Sequence, residues 1–388
     1  MKILHCHSTF SLGGKEARAV RLMNVFGDRA EHVILSAVPD ALDARDAIDA
    51  GIRVSFPGDA APALYGKPSI ARYNQLSRYM QQFDLILTYN WGSMDAVGAR
   101  RMYAGIRKLP RLIHHEDGFN ADENEKFNRK RNLFRRLMLP TAHRLVVPSQ
   151  RLENIARNIW NQPEARLVRI PNGIETGRYT NPPEAGAIPG FTRKAGDIIV
   201  GTLAGLRGVK NLPRLVRAVA AQPANVKLII IGEGPEQAAI LAEAARLGIA
   251  DRVLMPGFLA APHRYIGHFD IFALSSDSEQ FPISLVEAMA AGLPIVSTDV
   301  GDVKMMVTAD NVGLIVPVGD ENAFAQVLAQ LVKDPDLRCS LGAANRAVAN
   351  ADFSEDDMIA AYACLYENAA AMPGAFGLAK KPAQFFSV

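Results

Sequence analysis

Two series of six short apolar runs, each followed by a stretch with helical spacing, constrain this 388-residue chain more than any other feature. In the first half the runs are KILHCH, HVILSA, DLILTY, RLIHH, HRLVV and RLVRI, separated by helical stretches at 14–26, 69–82, 93–107, 124–139 and 149–160. In the second they are DIIVGTLA, VKLIIIG, DRVLMPG, IFALSS, PIVST and GLIVPV. Strands of branched apolar residues alternating with helices predict an α/β fold with parallel sheets covered on both faces. The chain is too long for one typical core, so two Rossmann-like domains are expected. A linker rich in Pro and Gly, TNPPEAGAIPGFTRKAG at 180–196, puts the first domain at 1–185 and the second at 186–365. Residues 352–388 are expected to add a helix, with Ser354 as its cap, and a tail, and to pack back on the first domain.

Composition removes several function classes. No run of 18 uncharged apolar residues occurs, which predicts a soluble protein without a membrane-spanning helix. The start, MKILHCHSTFSLGG, is too polar for a signal-peptide core and reads as a first strand, so the cytoplasm is the expected location. Cys6, Cys339 and Cys364 are odd in number and scattered, which suits a reducing compartment. A net charge of +3 is too small to make nucleic acid the default partner. The charge is nonetheless concentrated: KFNRKRNLFRR at 126–136 carries Lys126, Arg129, Lys130, Arg131, Arg135 and Arg136 with no acidic residue. Phe127, Phe134, Leu137 and Met138 can share a helix face there. Residues 126–138 are therefore either a peripheral contact with an anionic membrane or a solvated helix with an ordinary apolar stripe.

In open α/β sheets ligands bind beyond the carboxyl ends of strands, so chemistry is sought in those loops. SLGGKEARAV places Gly13 and Gly14 before a helix, where backbone can approach an anion or simply turn. GTLAGLRGVKN has the wrong glycine spacing for a dinucleotide fingerprint, which disfavours a dehydrogenase. It supplies Arg207 and Lys210 at a helix mouth, two cations suited to a diphosphate. Turns at Gly232 and Gly257 end two further strands and offer backbone groups to the edge of a base. The segment SDSEQFPISLVEAMAAGLPIVSTDVG, 276–301, is the most informative. Pro282 suits the first helical position and Gly292 closes the helix, so Glu279 lies in the loop and Glu287 in the helix. The amides of Ile283, Ser284 and Leu285 make a seat for phosphate or a hydroxyl. Glu287 needs donors: the hydroxyls of a ribose, or an ion pair with an arginine such as Arg207. Asp277-Ser278-Glu279 and His5-Cys6-His7 look like metal ligands only superficially, and no metal site is expected.

Taken in order, SLGGKE, VPSQRL, IPNGIE, GLRGVKN, GEGPE, MPGF and SEQFPISLVEAMAAGLPIVSTDVGD resemble the family 4 retaining glycosyltransferases of GT-B architecture. The resemblance implies two facing Rossmann-like domains, an acceptor side in the first, a donor side in the second, and the donor site in the cleft. It implies a nucleotide-diphosphate sugar as co-substrate, no cofactor, no metal, and a glycan or lipid-linked acceptor in polysaccharide, lipopolysaccharide or glycolipid assembly. Glu287 would hold the ribose and Glu279 approach the transferred sugar. Phe281, Pro282, Ile283 and Ser284 would present main-chain amides, Lys210 would neutralise the diphosphate, and Gly14 would approach phosphates or acceptor. The pattern departs twice. The family's arginine position holds Gly205, so Arg207 is expected to supply the charge. Its first-domain histidine falls on Asp117, beside His114 and His115, so His115 or Asp117 would position the acceptor or tune proton transfer. Asn90 and Trp91 would line the acceptor pocket. A sugar-nucleotide 2-epimerase of the same architecture and a non-catalytic sugar-nucleotide-binding module are the competing readings.

Overall fold

A computed structural model describes residues 1–388 except 12, 65, 68, 119–127 and 379–388, so Lys126 and Phe127 of the basic segment lie outside the described residues. The chain folds as two compact units, one of residues 1–172 together with those from Asp357 on, the other Gly173–Asp356. The division falls at Asn172/Gly173, ahead of the Pro- and Gly-rich stretch.

The first unit contains β1 (Lys2–His7), α1 (Gly14–Phe26), β2 (Glu31–Ser36), β3 (Arg53–Ser55), α2 (Ile70–Met80), β4 (Leu85–Tyr89), α3 (Met94–Tyr103), β5 (Arg111–His115), α4 (Arg129–Met138), β6 (Arg144–Val147), α5 (Gln150–Asn158) and β7 (Leu167–Arg169). The strands pair parallel in the order β3-β2-β1-β4-β5-β6-β7. Each strand and helix expected in this half forms among the described residues, with ends moved by a few residues; the first residues of the 124–139 stretch lie outside them. The strand the apolar runs do not announce is β3: three residues, Arg-Val-Ser, at the sheet edge with none fully buried.

The second unit contains β8 (Ile198–Leu203), α6 (Leu212–Ala220), β9 (Val226–Ile231), α7 (Gln237–Arg246), β10 (Val253–Gly257), β11 (Ile271–Leu274), α8 (Ile283–Ala290), β12 (Ile295–Thr298), α9 (Val303–Met306), β13 (Ile315–Val316), α10 (Glu321–Lys333) and α11 (Pro335–Asp352). Its sheet is parallel in the order β10-β9-β8-β11-β12-β13. A last helix, α12 (Glu355–Ala370), follows.

Both sheets bury both faces, which is why their strands read as continuous apolar runs rather than alternating ones. In β1, Ile3 enters one core with Leu85 and Leu87, while its neighbour Leu4 enters the other with Ile86 and Leu112. The chain's C-terminal end completes the first of these cores: Met358, Ile359, Tyr362, Leu365 and Tyr366 of α12 pack with Val20, Met23 and Phe26 of α1. In the stretch after Pro373, which has no periodicity, the described residues 374–378 are held by single contacts. Phe376 is fully buried and stacks on Phe26 at 3.8 Å, while Glu367 accepts the N–H groups of Gly374 and Phe376 at 2.9 and 2.8 Å.

His5 and His7 lie on one side of β1 as strand alternation requires, and both are buried. His5 hydrogen-bonds with the Tyr89 hydroxyl and with His32, and His7 stacks on Tyr89 at 4.0 Å. Burial holds both imidazoles well below the ordinary histidine range, so they are neutral members of the core.

Candidate functional site

Strand order reverses between β1 and β4 in one sheet and between β8 and β11 in the other. At such a point neighbouring strands send their connections to opposite faces, which opens a crevice at their carboxyl ends. Most of the site residues expected from the sequence fall at these two places.

In the second unit the loops after β8 and β11 are laced together. Ser275 Oγ donates to the Lys210 carbonyl at 3.0 Å, and the Asp277 N–H donates to the Val209 carbonyl at 2.8 Å. Asn211 takes the left-handed conformation, φ +42°, and its amide donates to the Asp277 carboxylate. This lacing brings Lys210 Nζ to 2.5 Å from Glu279 Oε1, an oxygen that also accepts the Ser276 hydroxyl at 2.7 Å. The other carboxylate of the D-x-E pair has different partners: Asp277 is also held by Arg214 at 2.8 Å. Arg207 is exposed, and its guanidinium folds back toward Gly205, where a side chain would meet it at 3.4 Å. The charge of Arg207 therefore occupies the space over the glycine.

The tips of the neighbouring strands join the same surface. The Leu206 N–H donates to the Glu233 carbonyl and the Gly232 N–H to the Gly257 carbonyl, at 2.8 and 2.9 Å. Gly232 sits at φ +146°, with the Ala204 carbonyl where a β-carbon would stand, so no other residue fits. The Phe258 N–H donates to Glu233 Oε1 at 3.3 Å.

Pro282 stands one residue earlier in helical register than the sequence suggests: it is the N-cap of α8, and its carbonyl accepts the Leu285 N–H at 3.1 Å. That spends one of the three amides expected to be open, and the Ile283 and Ser284 amides keep no partner among the described residues. The loop before the helix is braced by Asp302, whose N–H donates to the Gln280 carbonyl at 3.2 Å, and by Phe281, edge-on to Phe353 at 5.5 Å. Glu287 does not pair with Arg207. Its Oε1 accepts the Tyr179 hydroxyl at 3.1 Å. Burial pushes the Glu287 carboxyl up to about 7, with the Tyr179 hydrogen bond pulling the other way. A raised carboxyl disfavours the fold as pH climbs from the ordinary carboxylate range through about 7, a cost that hydroxyl donors from a ligand would offset.

In the first unit, Gly14 opens α1, and the capping Gly13 has φ −150°, so the double glycine is not a left-handed turn. Gly92, after β4, lies so near Ser8, after β1, that a β-carbon there would overlap the serine. Asn90 has φ +54°; its N–H donates to the His115 carbonyl and its Oδ1 accepts the Asp117 N–H, both at 2.8 Å. Asn90 therefore ties the β4 loop to the β5 loop. Trp91 packs edge-on to Phe134 of α4, with the Arg131 and Arg135 guanidinium groups 5.3 and 5.2 Å from its ring centre.

His115 is buried, with Nδ1 toward the Thr88 carbonyl at 3.2 Å and Nε2 toward the Tyr366 hydroxyl at 2.9 Å. Burial, then the Arg18 charge, lowers it to about 3, so it is a neutral ring with both nitrogens engaged. Arg18 of α1, which sequence reasoning missed, grips Asp117 with two hydrogen bonds of 2.6 and 2.9 Å and reaches Asn172 at 2.7 Å. Burial alone would raise the Asp117 carboxyl, but Arg18 outweighs it and holds it below the usual range. Among the described residues no group of three or more His, Cys, Asp or Glu side chains is placed to share a cation.

Comparison with known proteins gives matches over both units. The family model described as "Glycosyl transferases group 1" matches residues 188–348, and that described as "Glycosyltransferase Family 4" matches 12–178. The N-acetyl-alpha-D-glucosaminyl L-malate synthase of Bacillus anthracis is 31% identical over 166 residues, 42% of this chain and 44% of that protein. A Campylobacter jejuni N-acetylgalactosamine-N,N'-diacetylbacillosaminyl-diphospho-undecaprenol 4-alpha-N-acetylgalactosaminyltransferase is 34% identical over 130 residues, 33% of this chain and 36% of that protein. The matched stretch thus spans less than half the length of either relative. Among solved structures, Anabaena HepE in complex with UDP superposes with a TM-score of 0.78 over 95% of this chain and all of that one, at 21% identity, a likeness of fold.

Proposed function

Because the chain belongs to the family 4 glycosyltransferases, with the two-domain GT-B fold, we propose that it moves a sugar from a nucleotide-diphosphate sugar onto a glycan or lipid-linked acceptor with retention at the anomeric carbon. The observation that carries this reading is the Lys210–Glu279 pair at the β8/β11 reversal, beside the open amides of α8 and the raised carboxyl of Glu287.

Departure of a nucleoside diphosphate leaves positive charge on the sugar and negative charge on the phosphate, and the site must answer both. Lys210, Arg207 and the α8 amides answer the phosphate, so the reading assigns no metal to the step. Glu279 faces the transferred sugar once Lys210 turns to the diphosphate. Glu287 takes the ribose hydroxyls, and the Gly232 and Gly257 turns face the base. In this reading the acceptor attacks from the side of the leaving group and the departing phosphate takes its proton. That route suits a first unit in which His115 is neutral with both nitrogens engaged and Asp117 is held by Arg18: these groups position an acceptor and need not titrate. Product analysis with and without acceptor tests the proposal, since transfer needs both substrates, whereas an epimerase needs only the sugar nucleotide and a binding module leaves it unchanged.

No helix of the described residues is long and apolar enough to cross a membrane. We propose a peripheral contact through α4, because one face of it exposes Leu133 and Leu137 at 57% and 53% flanked by the exposed Arg129, Lys130 and Arg136. The face differs from the one the sequence suggests: Phe134 and Met138 turn into the core, and Arg135 is buried. A lipid-linked acceptor fits such a contact, and the name of the Campylobacter relative includes one. Each basic residue near an anionic surface contributes about 1 kcal/mol, so Arg129→Gln, Lys130→Gln and Arg136→Gln together are expected to weaken binding to phosphatidylserine vesicles roughly hundred-fold. Vesicle sedimentation that is unchanged by these substitutions, or by salt, overturns the contact.

A further inference from the structure

Tyr179 lies in a short 3-10 turn at 176–180, just ahead of the Pro- and Gly-rich stretch and 108 residues before its partner Glu287. Its ring is a core side chain, 8% exposed, packed among Tyr265, Ile266, Leu285 and Val286, with His263 edge-on at 6.0 Å. A buried phenol needs a hydrogen-bond partner, and this one has taken an oxygen of the carboxylate that the site offers to a ribose. The neighbouring phenol is not available for that purpose, since Tyr265 donates to the Leu259 carbonyl at 2.9 Å.

We infer that Tyr179 is a positioning residue: its hydroxyl fixes Glu287 by Oε1 and presents the other oxygen, Oε2, to the 2′- and 3′-hydroxyls of the nucleotide ribose. The inference rests on the donor-site reading above and adds to it a source of ribose selectivity outside the helix that bears Glu287. Three observations support it. Oε2 has no hydrogen-bond partner among the described residues, so it remains an open acceptor. Burial, then the Glu287 charge, raises the Tyr179 phenol above its ordinary range, so it keeps the proton it donates. And the geometry is rigid on both sides: the ring is packed in the core, and the carboxylate stands on α8, whose Leu285, Val286, Ala288 and Met289 are fully buried. A carboxylate with one oxygen tied has lost its side-chain freedom before the ligand arrives, so less entropy is lost on binding.

The chemistry favours a hydroxyl pair as the ligand. A ribose lacking its 2′-hydroxyl leaves Oε2 with one donor fewer in a poorly solvated place, and sites built to hydrogen-bond a hydroxyl reject the analogue that lacks it. Removing the phenol hydroxyl frees the carboxylate to rotate and removes the donor that stabilises its charged form. Selectivity between ribose and 2′-deoxyribose should then fall.

The test uses the full chain and titration calorimetry with UDP, GDP and ADP and the 2′-deoxy form of each. Tyr179→Phe keeps the ring and its packing. It is expected to weaken binding of the preferred ribonucleotide about ten-fold, the 2′-deoxy form less than two-fold, and to leave kcat at saturating sugar nucleotide within about two-fold of wild type while KM rises. In a Glu287→Gln background, Tyr179→Phe should add no further loss, because it acts through that carboxylate. Equal losses on both sugars, or full additivity with Glu287→Gln, would show packing alone and overturn the inference while the donor reading stands. Failure of the unsubstituted chain to bind any of the nucleotides would overturn both.

Discussion

Replacing Lys210 with alanine is expected to lower kcat for sugar transfer about 10²–10³-fold while leaving the fold intact, measured as initial rates of nucleoside-diphosphate release with acceptor present. Lys210 Nζ is 2.5 Å from Glu279 Oε1, so the cation and the carboxylate balance each other's charge. A diphosphate draws the ammonium because its negative charge grows as the glycosidic bond breaks, and an interaction that strengthens in the transition state shows in kcat. Removing it should therefore lower kcat and kcat/KM together, with KM little changed. The pair is partly open to solvent, at 21% and 12%, so its loss costs little stability. Lys210→Arg should restore part of the rate, since the charge returns without the geometry. An alanine variant with wild-type kcat would remove Lys210 from the chemistry.

The largest stability effect is expected at Arg135, where substitution by leucine should cost roughly 3–5 kcal/mol. The side chain is fully buried and bonds Glu116, itself fully buried, at 3.2 Å. The guanidinium also lies 5.0 Å from the ring centre of Trp160. Taking the arginine away leaves a carboxylate in the core without its countercharge, and that, more than the lost attraction, is the cost. Trp91 and Trp160, the chain's two tryptophans, both touch this group, so denaturant unfolding followed by their fluorescence reads it directly. Glu116→Gln combined with Arg135→Leu should recover part of the loss, and a single Arg135→Leu chain with an unchanged midpoint would contradict the account. The outcome also separates two roles within one helix: Arg135 holds α4 to its unit, whereas Arg129, Lys130 and Arg136 face outward.

The difference between those arginines shows what a sequence can and cannot disclose. The alternation of apolar runs announces both sheets, because strands buried on two faces leave no polar period to confuse them. Glu279, Pro282 and Glu287 are readable since one turn of chain sets their relation: a proline before a helix puts one carboxylate in the loop and the other on the helix. Lys210 is readable as a cation at a helix mouth, although its 2.5 Å approach to Glu279 is not. What escapes are partners joined only by the fold. Tyr179 meets Glu287 across 108 residues and Arg18 meets Asp117 across 99, and neither has a local pattern. In α4 the spacing alone fits a basic surface helix, yet Glu116 and two tryptophans from elsewhere draw one arginine inside. β3 and Phe376 escape for a simpler reason, since three edge residues and one aromatic make no periodicity.

The measurement that bears most directly on the account is product analysis by proton NMR after incubating the purified chain with a panel of nucleotide sugars, with and without a lipid-linked saccharide acceptor. With acceptor, a new glycoside is expected whose anomeric configuration matches that of the donor, together with one equivalent of nucleoside diphosphate. Without acceptor the sugar nucleotide is expected to stay unchanged. A sugar nucleotide altered at C2 in the absence of acceptor, or a glycoside of inverted configuration, would contradict the account.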